Sequence, residues 1–291
     1  PNTPTVSFLT STGVVGQTIF FAPVPDQLAT NLVGLAATAS SGLPVSFAVA
    51  SGPALLSGGT NLSFTGAGEV AIVASQPGDE TWPAAVSVTS RFTVAKASAT
   101  VSLFNLVQTY DGGPKSVGYT TDPVGLDVEV VYDGVPLNAG SYGVAASIAE
   151  SLYTGGATGV LVIVPAVPAI AWSNPVASVY GQPLDENQLN ATSSVPGLFT
   201  YEPPAGALLN AGTNLLSAGF APSDTVNYEG ATATVALIIQ RAPQSIAFAD
   251  PGVQVYTNVV VLSATSDSGL PVAFGLLSGP GALDGDVLTF G

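Results

Sequence analysis

Cysteine, histidine and methionine are missing altogether from the 291 residues. Without cysteine there are no disulfides and no thiolate nucleophiles; without histidine there are no imidazole-ligated metals and no Ser-His or Cys-His couples. Basic residues are nearly as scarce: four Lys and Arg stand against 19 Asp and Glu, a net charge of −15. Neutralising phosphates takes clustered Lys and Arg, so nucleic acid and anionic membrane surfaces are poor partners. No apolar run is long enough to span a bilayer. The best stretch, GVLVIVPAVPAIAW at 159–172, is short and broken by Pro165 and Pro168. It reads as a closing strand, a stiff linker and an opening strand. The chain opens PNTPTVSF, with neither an initiator Met nor a basic-then-apolar leader, which fits a processed protein or an internal piece of a longer one.

What is there is apolar and heavily punctuated. Hydrophobic residues make up 47% of the chain, against 8% charged, with 33 Gly and 23 Pro. That much hydrophobicity argues against disorder. LDVEVVYDG (126–134) places Leu126, Val128, Val130 and Tyr132 on one face, the period of two expected of a half-buried strand. EVAIVAS (69–75), ATVALII (233–239) and VVVLSAT (259–265) are β-branched runs bounded by Gly, Asn and Asp. No amphipathic helix of normal length survives the Gly and Pro punctuation.

One passage is spelled twice. SGLPVSFAVASGPALLSGGTNLSF starts at Ser41 and SGLPVAFGLLSGPGALDGDVLTF at Ser268. The copies keep step at an offset of 227, pairing Gln17 with Gln244, Leu43 with Leu270, Phe47 with Phe274 and Pro53 with Pro280; after Leu283 the second copy is one residue shorter. A weaker plan recurs within that period. VAKASATVSL (94–103), IVPAVPAIAW (163–172) and IQRAPQSIAF (239–248) each join a closing strand to an opening one. Trp82, Tyr153 and Tyr228 each sit shortly before a last strand, where an aromatic is expected to plug one end of a small sandwich, the alternative being three carbohydrate-stacking platforms. These marks predict modules at 17–97, 98–165 and 166–243, and an incomplete copy of the first at 244–291. Residues 1–16 are expected to be the end of a preceding module or a leading strand.

The segment running from QTIFF through SGLPVSFAVASGPALLSG to RFTVAKA resembles a repeat of very long bacterial secreted and surface proteins. NLVQTYDGGPKSV followed by LDVEVVYDGVPLNAGSYGVAASIAESLYTGGATGVLVI resembles the MBG-type bacterial domain, and IAWSNPVASVYGQPLDENQLNATSSVPGLFTYEPP resembles its companion module. The resemblance implies a bacterial immunoglobulin-like tandem array without an assigned enzymatic role, and it transfers no site residue. The expected fold class is therefore all-β: tandem small immunoglobulin-like antiparallel β-sandwiches arranged as an elongated array.

Several acidic groups invite a chemical reading. Asp267-Ser268-Gly269 has the form of an aspartic-protease triplet, but the first copy reads Ser40-Ser41-Gly42, and one triplet cannot supply two carboxylates sharing a proton. Asp284-Gly285-Asp286 offers hard oxygens for calcium, yet its counterpart is the carboxylate-free loop Ser57-Gly58-Gly59-Thr60. Asp127 with Glu129, Asp185-Glu186 and Asp79-Glu80 are the pairs that glycoside cleavage would need, though such enzymes also need an aromatic-lined cleft. Asp250 is a candidate for calcium at a joint. Arg91, Lys96 and Arg241 lie near joints and are expected to pair with acids across them; Lys115 lies elsewhere.

Taken together, these features predict no catalytic, cofactor-binding or metal residue. The expected function is a non-catalytic stalk, spacer or fibre segment, secreted or on the cell surface. Its partners would be neighbouring modules of one long chain, with no nucleic acid and no membrane insertion within the segment. The alternatives are a subunit of a self-assembling filament or sheath and a glycan- or protein-binding adhesin module. The second copy lacks the counterpart of GEVAIVASQ through RFTV; were Gly291 the true C-terminus, its open sheet edges would be expected to accept a strand from a neighbour, residues 1–16 being one candidate donor.

Overall fold

The structure is a computed structural model that describes residues 16–291. The 1–16 leading segment and its proposed role as a donor strand lie, but for Gly16, outside the described residues. Every described regular element is a β-strand, in agreement with the expected class. No helix is long and apolar enough to cross a membrane. The chain forms two compact units, Pro1–Ala166 and Val167–Gly291.

In the first unit, one sheet runs in the order Gln27–Leu28, Val88–Ala95, Gly68–Ser75, Ser46–Ser51. It faces the pair Ile19–Phe21 with Ala37–Ala39 and the three-stranded sheet of Val33–Gly34, Asn61–Phe64 and Ala54–Ser57. Inward residues of both layers, among them Phe21, Leu62, Phe64, Val70, Ile72 and Phe92, share one core. Phe21 packs on Phe47 at 5.3 Å between ring centres, and Phe64 on Phe92 at 6.0 Å, separations typical of favourable tilted and edge-on pairs.

Farther along the same unit, Val107–Thr109, Gly156–Val164, Gly140–Ile148 and Val128–Tyr132 form a second four-stranded sheet. It lies over the pair Thr100–Phe104 with Gly118–Asp122, and Val101, Val117, Val144, Ile148, Leu161 and Ile163 fill the space between. The strand Val128–Tyr132 falls where the alternation of LDVEVVYDG puts it, with Val128, Val130 and Tyr132 turned toward the core.

The second unit repeats the plan. Ser178–Val179, Ala231–Gln240, Gly212–Pro222 and Gly197–Glu202 make a four-stranded sheet, with Ile170–Ala171 paired to Thr192–Ser193. Leu184, Leu189, Leu216, Val235, Leu237 and Ile239 form its core. Beyond it, Ile246–Phe248 pairs with Ala264–Ser266, and Val259–Val261, Val287–Phe290 and Gly281–Asp284 form a three-stranded sheet.

Two features depart from the sequence-based expectation. The run VVVLSAT is not one strand: Val259–Val261 and Ala264–Ser266 pair in different sheets, because the chain crosses between layers there. Nor are the sheets antiparallel throughout. Each four-stranded sheet carries one parallel edge, in which the second strand, just after the opening one, lies beside the closing strand: Gln27 opposite Val94, Val107 opposite Val162, and Ser178 opposite Ile239. Side-chain alternation is the same in parallel and antiparallel strands, so it cannot announce this.

Leu237 is fully buried in the second unit. Leu237→Ala should cost about 2–5 kcal/mol, as buried leucine deletions do. Amide exchange should accelerate at Leu216 and Ile239 and stay unchanged at Ile72 and Leu161, whose cores are separate; acceleration in both units would contradict separate cores.

Candidate functional site

The acidic residues singled out in the sequence are scattered, and three of them, Asp79, Asp185 and Asp250, serve their own turns. The Asp79 carboxylate accepts the backbone N–H of Thr81 and of Trp82 at 2.8 Å each, and Asp185 accepts that of Asn187 at 2.8 Å. Asp250 accepts the Gly252 N–H at 2.8 Å. These are local Asx turns, in which a short side chain stands in for a backbone acceptor. Asp127 and Glu129 are both exposed on the outer side of their strand region. Asp284, Gly285 and Asp286 form the tip of the hairpin between Gly281–Asp284 and Val287–Phe290, with Gly285 in the left-handed region at φ 60°. Among the described residues, no three Asp or Glu gather closely enough to hold a metal ion.

Asp267 has a clear structural job, shown by comparing the two copies. In the first, the Thr18 N–H donates to the Ser40 hydroxyl at 3.0 Å, and the Ser40 N–H donates to the Thr18 carbonyl at 2.9 Å. In the second, the Ser245 N–H donates to the Asp267 carboxylate at 3.0 Å, and the Asp267 N–H donates to the Ser245 carbonyl at 3.2 Å. The Ser245 hydroxyl adds a bond of 2.6 Å. Asp267 thus takes the place of Ser40 in tying the opening strand to its neighbour. The Ser245 hydroxyl and then its N–H hold the Asp267 carboxyl below the ordinary 3.8.

Asp267 also lines the rim of a cleft of about 790 Å³ in the second unit, with Tyr180, Asn210, Arg241, Ser268 and Leu270. It is the sole carboxylate among the lining residues. A single carboxylate, already bound to Ser245, supplies neither the shared proton of a dyad nor the two opposed groups of a glycosidase.

The basic residues behave differently from the expectation. Among the described residues, the ion pair is Lys115 with Asp111, four residues apart, and Lys115 is the one basic residue away from a joint. That cation, followed by the Gly113 N–H, lowers the Asp111 carboxyl. Lys96 does reach across its joint, but it donates to the backbone carbonyl of Glu150 at 2.6 Å and not to a carboxylate.

What holds that joint is backbone pairing and an apolar side chain. Ala97–Ser98 runs parallel to Tyr153–Thr154; the Ala97 N–H donates to the Leu152 carbonyl and the Ala99 N–H to the Thr154 carbonyl, both at 2.9 Å. Leu152 packs against the first core. Of the three recurrent aromatics, Tyr153 packs against the core containing Val101 and Ile148, while Trp82 and Tyr228 are half-buried. The Leu152 plug escaped the sequence reading because one leucine in a loop carries no periodic signal.

The family model for the MBG domain matches residues 99–167. No curated protein matches the chain. The human Desmocollin-1 ectodomain is 10% identical, with coverage of 94% of this chain and 74% of that one and a TM-score of 0.22. Sidekick-1 immunoglobulin domains 1–5 are 12% identical, with coverage of 78% and 60% and a TM-score of 0.26. The surface layer protein SbsC, domains 1–6, is 14% identical with a TM-score of 0.23; 88% of this chain aligns with 46% of that one.

Because folding lowers the Asp267 carboxyl, the clasp is at full strength above the ordinary carboxylate pKa and is lost as pH falls through the lower folded value. A carboxyl-detected NMR titration should place the Asp267 midpoint below 3.8, and Ser245→Ala should move it back up. Asp267→Ser, which installs the residue of the first copy, should keep the Ser245 amide protected, whereas Asp267→Ala should expose it.

Proposed function

We propose that this all-β chain, whose residues 99–167 match the MBG domain, is a non-catalytic structural segment of a bacterial extracellular or surface protein, serving as a stalk, spacer or fibre. In this proposal the modules are 17–97, 98–165 and 166–243, with the start of a further copy of the first type at 244–291 and residues 1–16 as the end of a preceding module or a leading strand. The observation that carries it is the parallel pairing of the early second strand with the closing strand in three successive sheets. Strands that run the same way bring the chain in at one end of a module and out at the other. Modules built so can be added in series without rearranging any core.

Two further observations support a supporting role over a catalytic one. The largest fully buried side chains are all Leu, Ile or Val, so the interiors are spent on packing. The joint at residues 96–99 is fixed by hydrogen bonds and Leu152, which limits bending where a plain linker would swivel. Partners on this reading are the neighbouring modules of the same chain.

Two measurements test it. The purified chain should neither bind on a glycan array nor cleave a panel of polysaccharides and peptides; reproducible binding to one sugar class would favour the adhesin alternative, and turnover would overturn the proposal. Leu152→Asp should speed amide exchange at Ala97 and Ala99 while leaving Ile72 and Leu161 protected. If those two amides kept their protection, the joint would owe nothing to the leucine plug.

A further inference from the structure

In the second unit, the four-stranded sheet turns one face to its core and the other to solvent, and the outer face is nearly free of charge. Alternation along Gly212–Pro222 sends Leu215, Ser217 and Gly219 outward, while Leu216, Ala218 and Phe220 are buried. On the neighbouring strand Ala231–Gln240, Thr232, Thr234 and Ile238 point the same way. Ser217 lies opposite Thr234, and Glu202 of the strand Gly197–Glu202 lies opposite Ser217 from the other side. Glu202 is the one charged residue that these three strands carry.

Bulk on this face is unevenly placed. Leu215 and Ile238 are diagonal neighbours, 68% and 55% exposed, and they rise at one end. At the other end lie Gly219 and Gly230, which with Thr200 and Thr232 line a hollow of about 270 Å³. The spacings from the middle row match. Leu215 is two positions before Ser217 and Gly219 two after; Ile238 is four positions after Thr234 and Gly230 four before. Turning the face over about the line through Ser217 and Thr234 therefore sets Leu215 above Gly219 and Ile238 above Gly230, and the same pairs again in reverse. Reciprocal contacts of that kind are what a two-fold interface requires.

The corresponding faces of the first unit lack this pattern. One carries Glu69 and Arg91, both exposed, on its two central strands. The other carries Glu129, and its outward glycine, Gly143, is already covered. The Asp133 carboxylate accepts the Gly143 N–H at 2.8 Å and would lie 2.8 Å from a Cβ at that position. A Cβ on Gly219 would meet the Thr200 hydroxyl first, at 3.1 Å, and no charged group.

We propose that this face binds a second copy of the chain, Leu215 and Ile238 of each entering the glycine hollow of the other. The three strands together span about 14 Å across and 30 Å along, roughly 900 Å² over two copies before side-chain relief is added. That is near the lower bound for a specific interface, so the dimer is weak, with a dissociation constant of about 10–100 μM. Neither face offers the other a charge partner, and the affinity comes from apolar area and fit. Glu202 falls in the middle row, so the two carboxylates approach each other at the rim and oppose the contact. The inference is independent of the spacer role, since a spacer needs no second copy.

Sedimentation of the 291-residue chain over a range of concentrations tests it. A monomer–dimer equilibrium is expected. It should tighten as salt rises from about 20 to 300 mM, because screening relieves the repulsion between two chains of net charge −15. Leu215→Glu and Gly219→Lys should each weaken the dimer about tenfold or more, as central interface positions do. Mixed in equal amounts, the two variants should dimerise again, because the new acid then lies over the new base while the other half of the contact stays native. Glu202→Gln should tighten the native dimer about threefold. The amides of Leu216 and Leu237 should stay protected in every variant. A native chain that remains monomeric at about 1 mM overturns the proposal. So does a dimer that Leu215→Glu leaves unchanged, which another face would be holding, or a mixture that stays monomeric while those two amides are protected.

Discussion

Each packed segment depends on the burial of one long antiparallel hairpin against a layer of short strands. The hairpins are Gly68–Ser75 with Val88–Ala95, Gly140–Ile148 with Gly156–Val164, and Gly212–Pro222 with Ala231–Gln240. Of the largest fully buried side chains, Ile72, Leu161, Ile163, Leu216, Leu237, Val70 and Val94 lie on these hairpins, leaving only Leu62 elsewhere. The short facing strands of two to five residues cannot enclose a core unaided. Residues 246–290 keep the register of the first facing layer, Ile246 opposite Ser266 as Ile19 is opposite Ala39.

Polar groups are used sparingly, to close strands onto one another. Gln17 is buried and joins Ser41, Gln76 and Pro83. Asp26 accepts the Thr93 N–H at 2.7 Å and Asn174 accepts the Ala236 N–H at 3.0 Å, in both cases from an opening segment to the closing strand. No buried side-chain nitrogen or oxygen among the described residues lacks a partner, as expected where an unmet polar group would cost more than the bond contributes.

Much of this was legible from the residues. The alternation of LDVEVVYDG, the β-branched runs and the Gly–Pro punctuation report strands directly, because pleating places alternate side chains on opposite faces. The repeat also exposed Asp267 as a replacement for Ser40 before any geometry was known, and both residues proved to hold the same backbone N–H. Other features leave no local trace. Parallel pairing of Gln27 with Val94 joins residues far apart in the chain, and the crossing that divides VVVLSAT depends on which layer each half meets. Lys96 was noticed for its charge, but it is a carbonyl oxygen that it found, and every residue has one of those.

The parallel edge has a mechanical consequence. Tension applied through the two ends of such a segment pulls the early second strand and the closing strand in opposite directions along their common axis. The hydrogen bonds between Val107–Thr109 and Val162–Val164 then lie across the load and must yield together in shear, whereas a terminal hairpin would unzip one bond at a time. Resistance to forced unfolding is governed by the height of that barrier and not by equilibrium stability. A three-residue pairing can therefore bear more tension than its small share of the folding free energy would suggest.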